Sequence, residues 1–195
     1  MNVRKTKGKK EIVGKVTKWF PSVTAIVIGP GLGRDPFVLE CVEEIIEEAK
    51  SKKLPMVIDG DGLFLVTSKL ELLKGGEERI ILTPNVMEAK RLANKILHGK
   101  HPSETPPEEL EYDPRELAQK LGGVAIVNKG KSDLVTDGKE SLECDIEGSH
   151  KRCGGQGDLL AGNKREGNKF MKFQIFFCRN DSHFLWMGCK VERRT

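Results

Sequence analysis

Four short apolar runs, each closed by a glycine, an acid or a turn, constrain this chain more than any other feature. They are TAIVI (24–28), PMVID (55–59), RIIL (79–82) and GVAIVN (123–128). Their hydrophobicity is continuous and rich in β-branched residues, which predicts strands covered on both faces. Between them lie helical patterns at residues 36–50, 85–97 and 114–121, the first with Phe37, Leu39, Val42, Ile45, Ile46 and Ala49 on one face. Strand, turn, helix, strand is the rhythm of βαβ units, so the expectation is an α/β fold with a mainly parallel central sheet covered by helices. In such sheets ligands bind beyond the carboxyl ends of the strands. Gly29-Pro30-Gly31-Leu32-Gly33, Asp59-Gly60-Asp61-Gly62, Thr83-Pro84-Asn85 and Lys129-Gly130 stand at those ends.

At 195 residues the chain is long enough for one domain with a sizeable core. No run of about 18 apolar residues predicts a membrane span, and the basic start MNVRKTKGKK has no apolar stretch to make a secretory signal. It is also a weak mitochondrial presequence. Five cysteines without a C-x-x-C pair favour reduced thiols and a cytoplasmic location over a disulfide framework. The net charge of +4 does not predict nucleic-acid binding. Residues 163–195 carry 8 of the 33 Lys+Arg and 3 of the 29 Asp+Glu, leaving residues 1–162 at −1. HGKHPSETPPEELEYD (98–113) reads as an exposed, solvated loop, and DLVTDGKESLEC (133–144) as a hairpin turning at Asp137-Gly138.

The stretch RCGGQGDLLAG (152–162) points to phosphate chemistry. A glycine turn ahead of a helix leaves backbone N–H groups free to crowd an anion, and the helix dipole adds positive charge there. Asp158 follows the turn, where a carboxylate can take the proton of a hydroxyl attacking a γ-phosphoryl group. No Lys-Ser/Thr follows the glycines, so this is not a Walker loop. The other strand-end residues are ambiguous alone. The 29–33 glycines could merely reverse the chain, and Asp59 and Asp61 could be a helix cap and a turn residue. Asn85 and Glu88 make a capping pair, and Lys129-Gly130 could touch phosphate or form a turn.

Taken together and in order, VIGPGLGRD (27–35), VIDGDGLFLV (57–66), LTPNVMEAKRL (82–92), NKGKSDLVTDG (128–138) and RCGGQGDLLAG (152–162) resemble one family. It is the ATP-dependent (S)-NAD(P)H-hydrate dehydratases, the carbohydrate-kinase-domain branch of the ribokinase-like superfamily, and especially its eukaryotic members. The resemblance covers about residues 12–162 and implies a ribokinase-like three-layer fold. It also implies a hydro-lyase of cofactor repair, which spends ATP, with magnesium, to dehydrate (6S)-NADHX and (6S)-NADPHX to NADH and NADPH. A partner epimerase supplies the S epimer; no nucleic-acid or membrane partner is implied, and other isoforms of the family can be mitochondrial. By the same resemblance, Gly31 lies against the hydrated dinucleotide, as do Asn85, Val86, Met87, Glu88, Ala89, Lys90 and Arg91. Lys129, Gly130, Lys131, Ser132 and Asp133 match an ATP-binding stretch, as do Gly148, Ser149, His150, Lys151, Arg152, Cys153, Gly154, Gly155, Gln156 and Gly157. Asp158 matches the acid that contacts the substrate and serves as catalytic base. Asp59 and Asp61 match a D-x-D-G of open role, no protein metal ligand is implied, and magnesium arrives with ATP.

Two departures from the family pattern frame the remaining expectations. Family members carry a glycine-rich strand-helix unit upstream of GPGLG, for which this chain has about thirty residues. After GGQGDLLAG they continue into packed helices, whereas residues 163–169 contain no apolar residue. Residues 163–195 hold six of the eleven aromatics and show no clear helical or strand period. The expectation is therefore a partial carbohydrate-kinase-like domain at 1–162 and a non-family tail at 163–195, the fold incomplete at both ends and marginally stable. Codons for Gly162-Asn163-Lys164 can spell a splice donor, which points to a retained intron or alternative exon. The alternatives are another ribokinase-like small-molecule kinase, or an inactive truncated nucleotide-binding fragment.

Overall fold

Local sequence chemistry explains where the main helices begin. In a computed structural model of the chain, which describes residues 3–106, 108–145, 174–178 and 184–188, helix α2 spans Pro36–Ser51. Asp35 caps it by accepting hydrogen bonds from the Phe37 and Val38 backbone N–H groups, and Pro36 supplies a preset φ in the first turn. Helix α4, Val86–His98, starts from a complete capping box. The Glu88 N–H donates to Asn85 Oδ1, and the Asn85 N–H donates to Glu88 Oε2. It stops at Gly99 in the left-handed conformation. Helix α5, Pro114–Lys120, repeats the Asp-Pro start with Asp113. Two further helices among the described residues are α1 (Val3–Thr17) and α3 (Gly60–Ser68).

The four apolar runs all form strands: β1 Ile26–Ile28, β2 Met56–Ile58, β3 Ile80–Leu82 and β4 Ala125–Asn128. They pair in sequence order and in parallel. The predicted hairpin then adds β5 (Asp133–Thr136) and β6 (Ser141–Cys144) antiparallel, giving a six-stranded mixed sheet ordered β1-β2-β3-β4-β5-β6. Side chains alternate across the sheet. One face presents Ile28, Met56, Ile58, Ile80, Leu82 and Ile126, which pack with Val42, Ile46, Leu63, Leu92 and Leu117 into the main core. The other presents a row Val27-Val57-Ile81-Ala125 in register. Along that row Val57, Ile81 and Ala125 are buried, and Val27 on β1 is 44% exposed.

Two expectations are corrected, and the open alternative for Asp59 is decided. Residues 99–106 and 108–113 are irregular but not simply solvated: Pro102 and Pro106 are buried, and Leu110 and Tyr112 pack against the core. The segment is apolar enough at those four positions to fold back, with the Tyr112 hydroxyl donating to Asn128 Oδ1. Asp59 stands at the N-cap position of α3, yet its side chain makes no capping bond. The aromatic tail does have strand character, because β7 (Gln174–Cys178) and β8 (Phe184–Gly188) pair antiparallel. The chain divides into two compact units, residues 1–145 and 146–195. The expected boundary at residue 162 lies outside the described residues.

The backbone of β1 closely approaches the start of α3. Gly29 has φ +119°, and a Cβ there would lie 1.8 Å from the Asp59 carbonyl oxygen and 2.5 Å from the Gly62 nitrogen. Gly62 is also constrained, since its Cβ would lie 2.7 Å from the Ile28 carbonyl oxygen. Gly29→Ala is therefore expected to cost about 3 kcal/mol or more, from strain and overpacking together. Urea unfolding followed by tryptophan fluorescence measures it; a loss below about 1 kcal/mol would contradict the close approach.

Candidate functional site

Sheet alternation and register bring the strand-end residues onto one face. Gly29, Asp59 and Thr83 follow β1, β2 and β3, joined by hydrogen bonds from the Asp59 N–H to the Ile28 carbonyl and from the Thr83 N–H to the Ile58 carbonyl. Lys129 follows β4, where it bridges Asn85 and its N–H donates to the Pro84 carbonyl. The Lys129 ammonium then crosses the end of β3 to reach Asp59 Oδ1 at 3.0 Å. Asp59 keeps only 7% of its side chain exposed, so this ion pair supplies the opposite charge that a buried carboxylate requires. Thr83 lies between the two partners by register, 3% exposed, and its Oγ1 has no hydrogen-bond partner among the described residues.

Asp61 organises the glycine turn. Its carboxylate accepts from the Gly33 N–H and from Arg34 Nε, both at 3.0 Å. That pins the 29–33 loop to the first turn of α3. Arg34 stacks over Phe64, 4.3 Å from the ring centroid, and Phe64 meets His101 edge-to-face at 5.8 Å. Within this fixed loop Gly31 differs from Gly29. It has φ +66°, and a Cβ there would meet nothing within 4 Å. The turn thus presents an open, bare backbone position to its surroundings.

The other candidate residues divide by orientation. Asn85, Val86 and Met87 are exposed at the start of α4, the latter two at 43% and 45%. Apolar side chains that open at a helix N-terminus, beyond the ends of parallel strands, suit a partly apolar ligand. Glu88 is engaged in the capping box, and the Lys90 ammonium donates to the Glu108 carbonyl. Arg91 is half-buried. Ala89, 1% exposed, faces the core, which leaves its backbone alone to take part. After β4, the Gly130 N–H donates to Asp133 Oδ1, closing a turn that leaves Lys131 exposed and Ser132 half-buried. Residues 148–158, including Gly148, Gly154, Gly157 and Asp158, lie outside the described residues.

Among the described residues no three His, Cys, Asp or Glu side chains gather into a metal cage, and no helix is long and apolar enough to cross a membrane. Sequence reasoning missed the pairing of Asp59 with Lys129, seventy positions apart, and the Arg34–Phe64–His101 stack. It also gave Thr83 no role. The signal for Thr83 and the ion pair was present only as position, each residue being the first or second past a strand.

Parallel strands, covering helices and a polar edge at the strand carboxyl ends define an α/β domain, and solved structures share its fold. A hypothetical protein from Streptococcus mutans aligns with a TM-score of 0.57 and 24% identity, covering 79% of this chain and 50% of its own. A hydroxyethylthiazole kinase protein from Pyrococcus horikoshii aligns with a TM-score of 0.54 and 19% identity, covering 80% and 56%. The chain belongs to the NAD(P)H-hydrate dehydratase family, whose profile matches residues 6–163. Relatives named ATP-dependent (S)-NAD(P)H-hydrate dehydratase include one from Physcomitrium patens, 50% identical over 161 residues, covering 80% of this chain and 46% of the relative. One from Vitis vinifera is 47% identical over 154 residues, covering 79% and 42%. One from Homo sapiens is 43% identical over 151 residues, covering 77% and 42%. The chain thus spans less than half the length of these relatives.

Asp61→Ala removes the acceptor that holds the glycine turn. The Gly33 amide is expected to exchange with deuterium at least about tenfold faster, while the Ile58 amide, inside the sheet, keeps its protection. An unchanged Gly33 rate would mean that the turn holds itself.

Proposed function

We propose that this chain carries out ATP-dependent dehydration of (6S)-NADHX and (6S)-NADPHX, returning NADH and NADPH. The observation that carries the reading is its match to dehydratases of that name at 42–50% identity across about four-fifths of its length. The geometry supports it, since the open Gly31 turn, the exposed start of α4 and Lys129 share one edge of the sheet. In this reading the dinucleotide hydrate lies along Gly31 and the first turns of α4, with Asn85, Val86, Met87 and the backbone toward Arg91 against it. The nucleotide is held by residues 129–133 and 148–157. Magnesium enters as part of the ATP substrate, because Asp59 and Asp61 are already engaged by Lys129, Gly33 and Arg34.

The chemistry follows from the leaving group. Hydroxide leaves the reduced ring poorly, and phosphate leaves well. Asp158 takes the hydroxyl proton as that oxygen attacks the γ-phosphorus, and the bond from γ-phosphorus to the bridging oxygen breaks to release ADP. The C–O bond of the phosphorylated ring then breaks, phosphate departs with the bonding pair, and the neighbouring carbon loses a proton to restore the double bond. A separate epimerase, acting in the same compartment, which we take to be the cytoplasm, would supply the S epimer.

Purified chain incubated with NADHX and ATP is expected to regain absorbance at the NADH wavelength, and not to do so without ATP. Asp158→Asn is expected to slow that recovery by about 10²- to 10⁴-fold, with ATP binding retained. Recovery by the variant at the wild-type rate would remove Asp158 from the role of base. No recovery with the unmodified chain would count against the activity for this chain.

A further inference from the structure

The Thr83 hydroxyl is the one buried side-chain polar atom among the described residues with no hydrogen-bond partner. It is not a remote defect. Thr83 immediately follows β3, on the same sheet face as Asp59 and Lys129. Its N–H is bonded to the Ile58 carbonyl, so its backbone is fixed beside Asp59. On the other side, the Lys129 N–H donates to the Pro84 carbonyl, fixing that strand end one residue further along. The Lys129–Asp59 ion pair therefore spans the strand end at which Thr83 sits. Lys129 keeps 23% of its side chain exposed, while Thr83 is 3% exposed.

Each group has bonding capacity left over. An ammonium carries three N–H donors, and Asp59 Oδ1 takes one of them. A threonine hydroxyl has one donor and two acceptor positions, none of them used by the described residues. A buried hydroxyl without a partner is destabilising, and native proteins keep few of them. Valine has nearly the same shape as threonine and would fill this position without that cost. A neutral apolar ligand would leave the donors of Lys129 and Thr83 unmet. An anion with several oxygens would meet them together, while Lys129 shields it from the Asp59 charge.

We infer that Asp59, Thr83 and Lys129 form a phosphate subsite for the nucleotide. Lys129 shifts its spare N–H groups onto one phosphate group, and this uncovers the Thr83 hydroxyl, which donates to an oxygen of the same group. Asp59 is a positioning residue that keeps hold of the ammonium throughout. This rests on the proposed use of ATP and deepens it by adding Thr83 as a ligand contact and Asp59 as the anchor of Lys129.

The test is calorimetric titration of the full chain with ATP and, separately, with inorganic tripolyphosphate, alongside thermal unfolding. Thr83→Val is expected to weaken both ligands by about 10- to 100-fold, and to leave the unfolding midpoint unchanged or raised. A lowered midpoint with ligand affinity within about twofold of wild type would make Thr83 a structural hydroxyl bonded to internal water, and would overturn the subsite. Asp59→Asn is expected to weaken ATP binding in the wild type but to add little to Lys129→Met, because it acts through that ammonium. Additive losses would overturn the anchoring role. Failure of the wild-type chain to bind either ligand would overturn the whole subsite. Failure of the proposed function looks different: ATP binds with the stated Thr83 dependence, and NADHX is not dehydrated.

Discussion

The ion pair between Lys129 and Asp59 is the interaction on which the arrangement of this sheet edge depends. Asp59 is pinned by its backbone to β1 on one side and α3 on the other, and only 7% of its side chain is exposed. A carboxylate so buried needs an opposite charge close by. Lys129 provides it at 3.0 Å, from the far side of β3. Breaking a buried pair on one side typically costs about 3–5 kcal/mol, and the partial exposure of Lys129 places this pair below that range. Its structural effect exceeds its stability value. It ties the ends of β2 and β4 across β3, and so sets the spacing between the glycine turn, the start of α4 and the turn after β4.

Steric fit supplies the second constraint. The backbone of Gly29 lies against Asp59 and Gly62 with no space for a side chain, which seats α3 directly under the end of β1. Asp61, one residue before Gly62, is thereby placed to hold the Gly33 N–H and Arg34. The D-x-D-G stretch thus does two separate jobs. Its first acid anchors a lysine across the sheet, and its second fixes the loop that leaves Gly31 open. A single close approach between two glycines makes both possible.

The sequence revealed the sheet and the capped helices because their signals are local. Runs such as MVI and IIL are too apolar to be anything but buried, and Asp35-Pro36, Asn85 with Glu88, and Asp113-Pro114 carry their own start signals. Helix α3 was not legible. Gly60-Asp61-Gly62 favours a turn, and the apolar residues after it bury Leu63, Leu65 and Val66 without a one-sided stripe. Helix α1 was hidden by its charge: Lys9 is held by Glu44 of α2, a partner thirty-five positions away. The segment at 98–113 misled because prolines usually signal exposure, and here Pro102 and Pro106 are covered. Of the candidate site, the glycine turn and the start of α4 were legible from motif order. The pairing of Asp59 with Lys129 and the isolation of Thr83 were not, since both depend on which strands become neighbours.

In the proposed function, three strand ends linked by one ion pair work as a single nucleotide-facing edge. Amide hydrogen exchange of the chain with and without ATP tests it most directly. With ATP, protection is expected to rise together in residues 59–62, 83–88 and 129–133, and to stay constant in α1 and α5. Protection confined to one of those segments, or spread evenly through the helices, would contradict it.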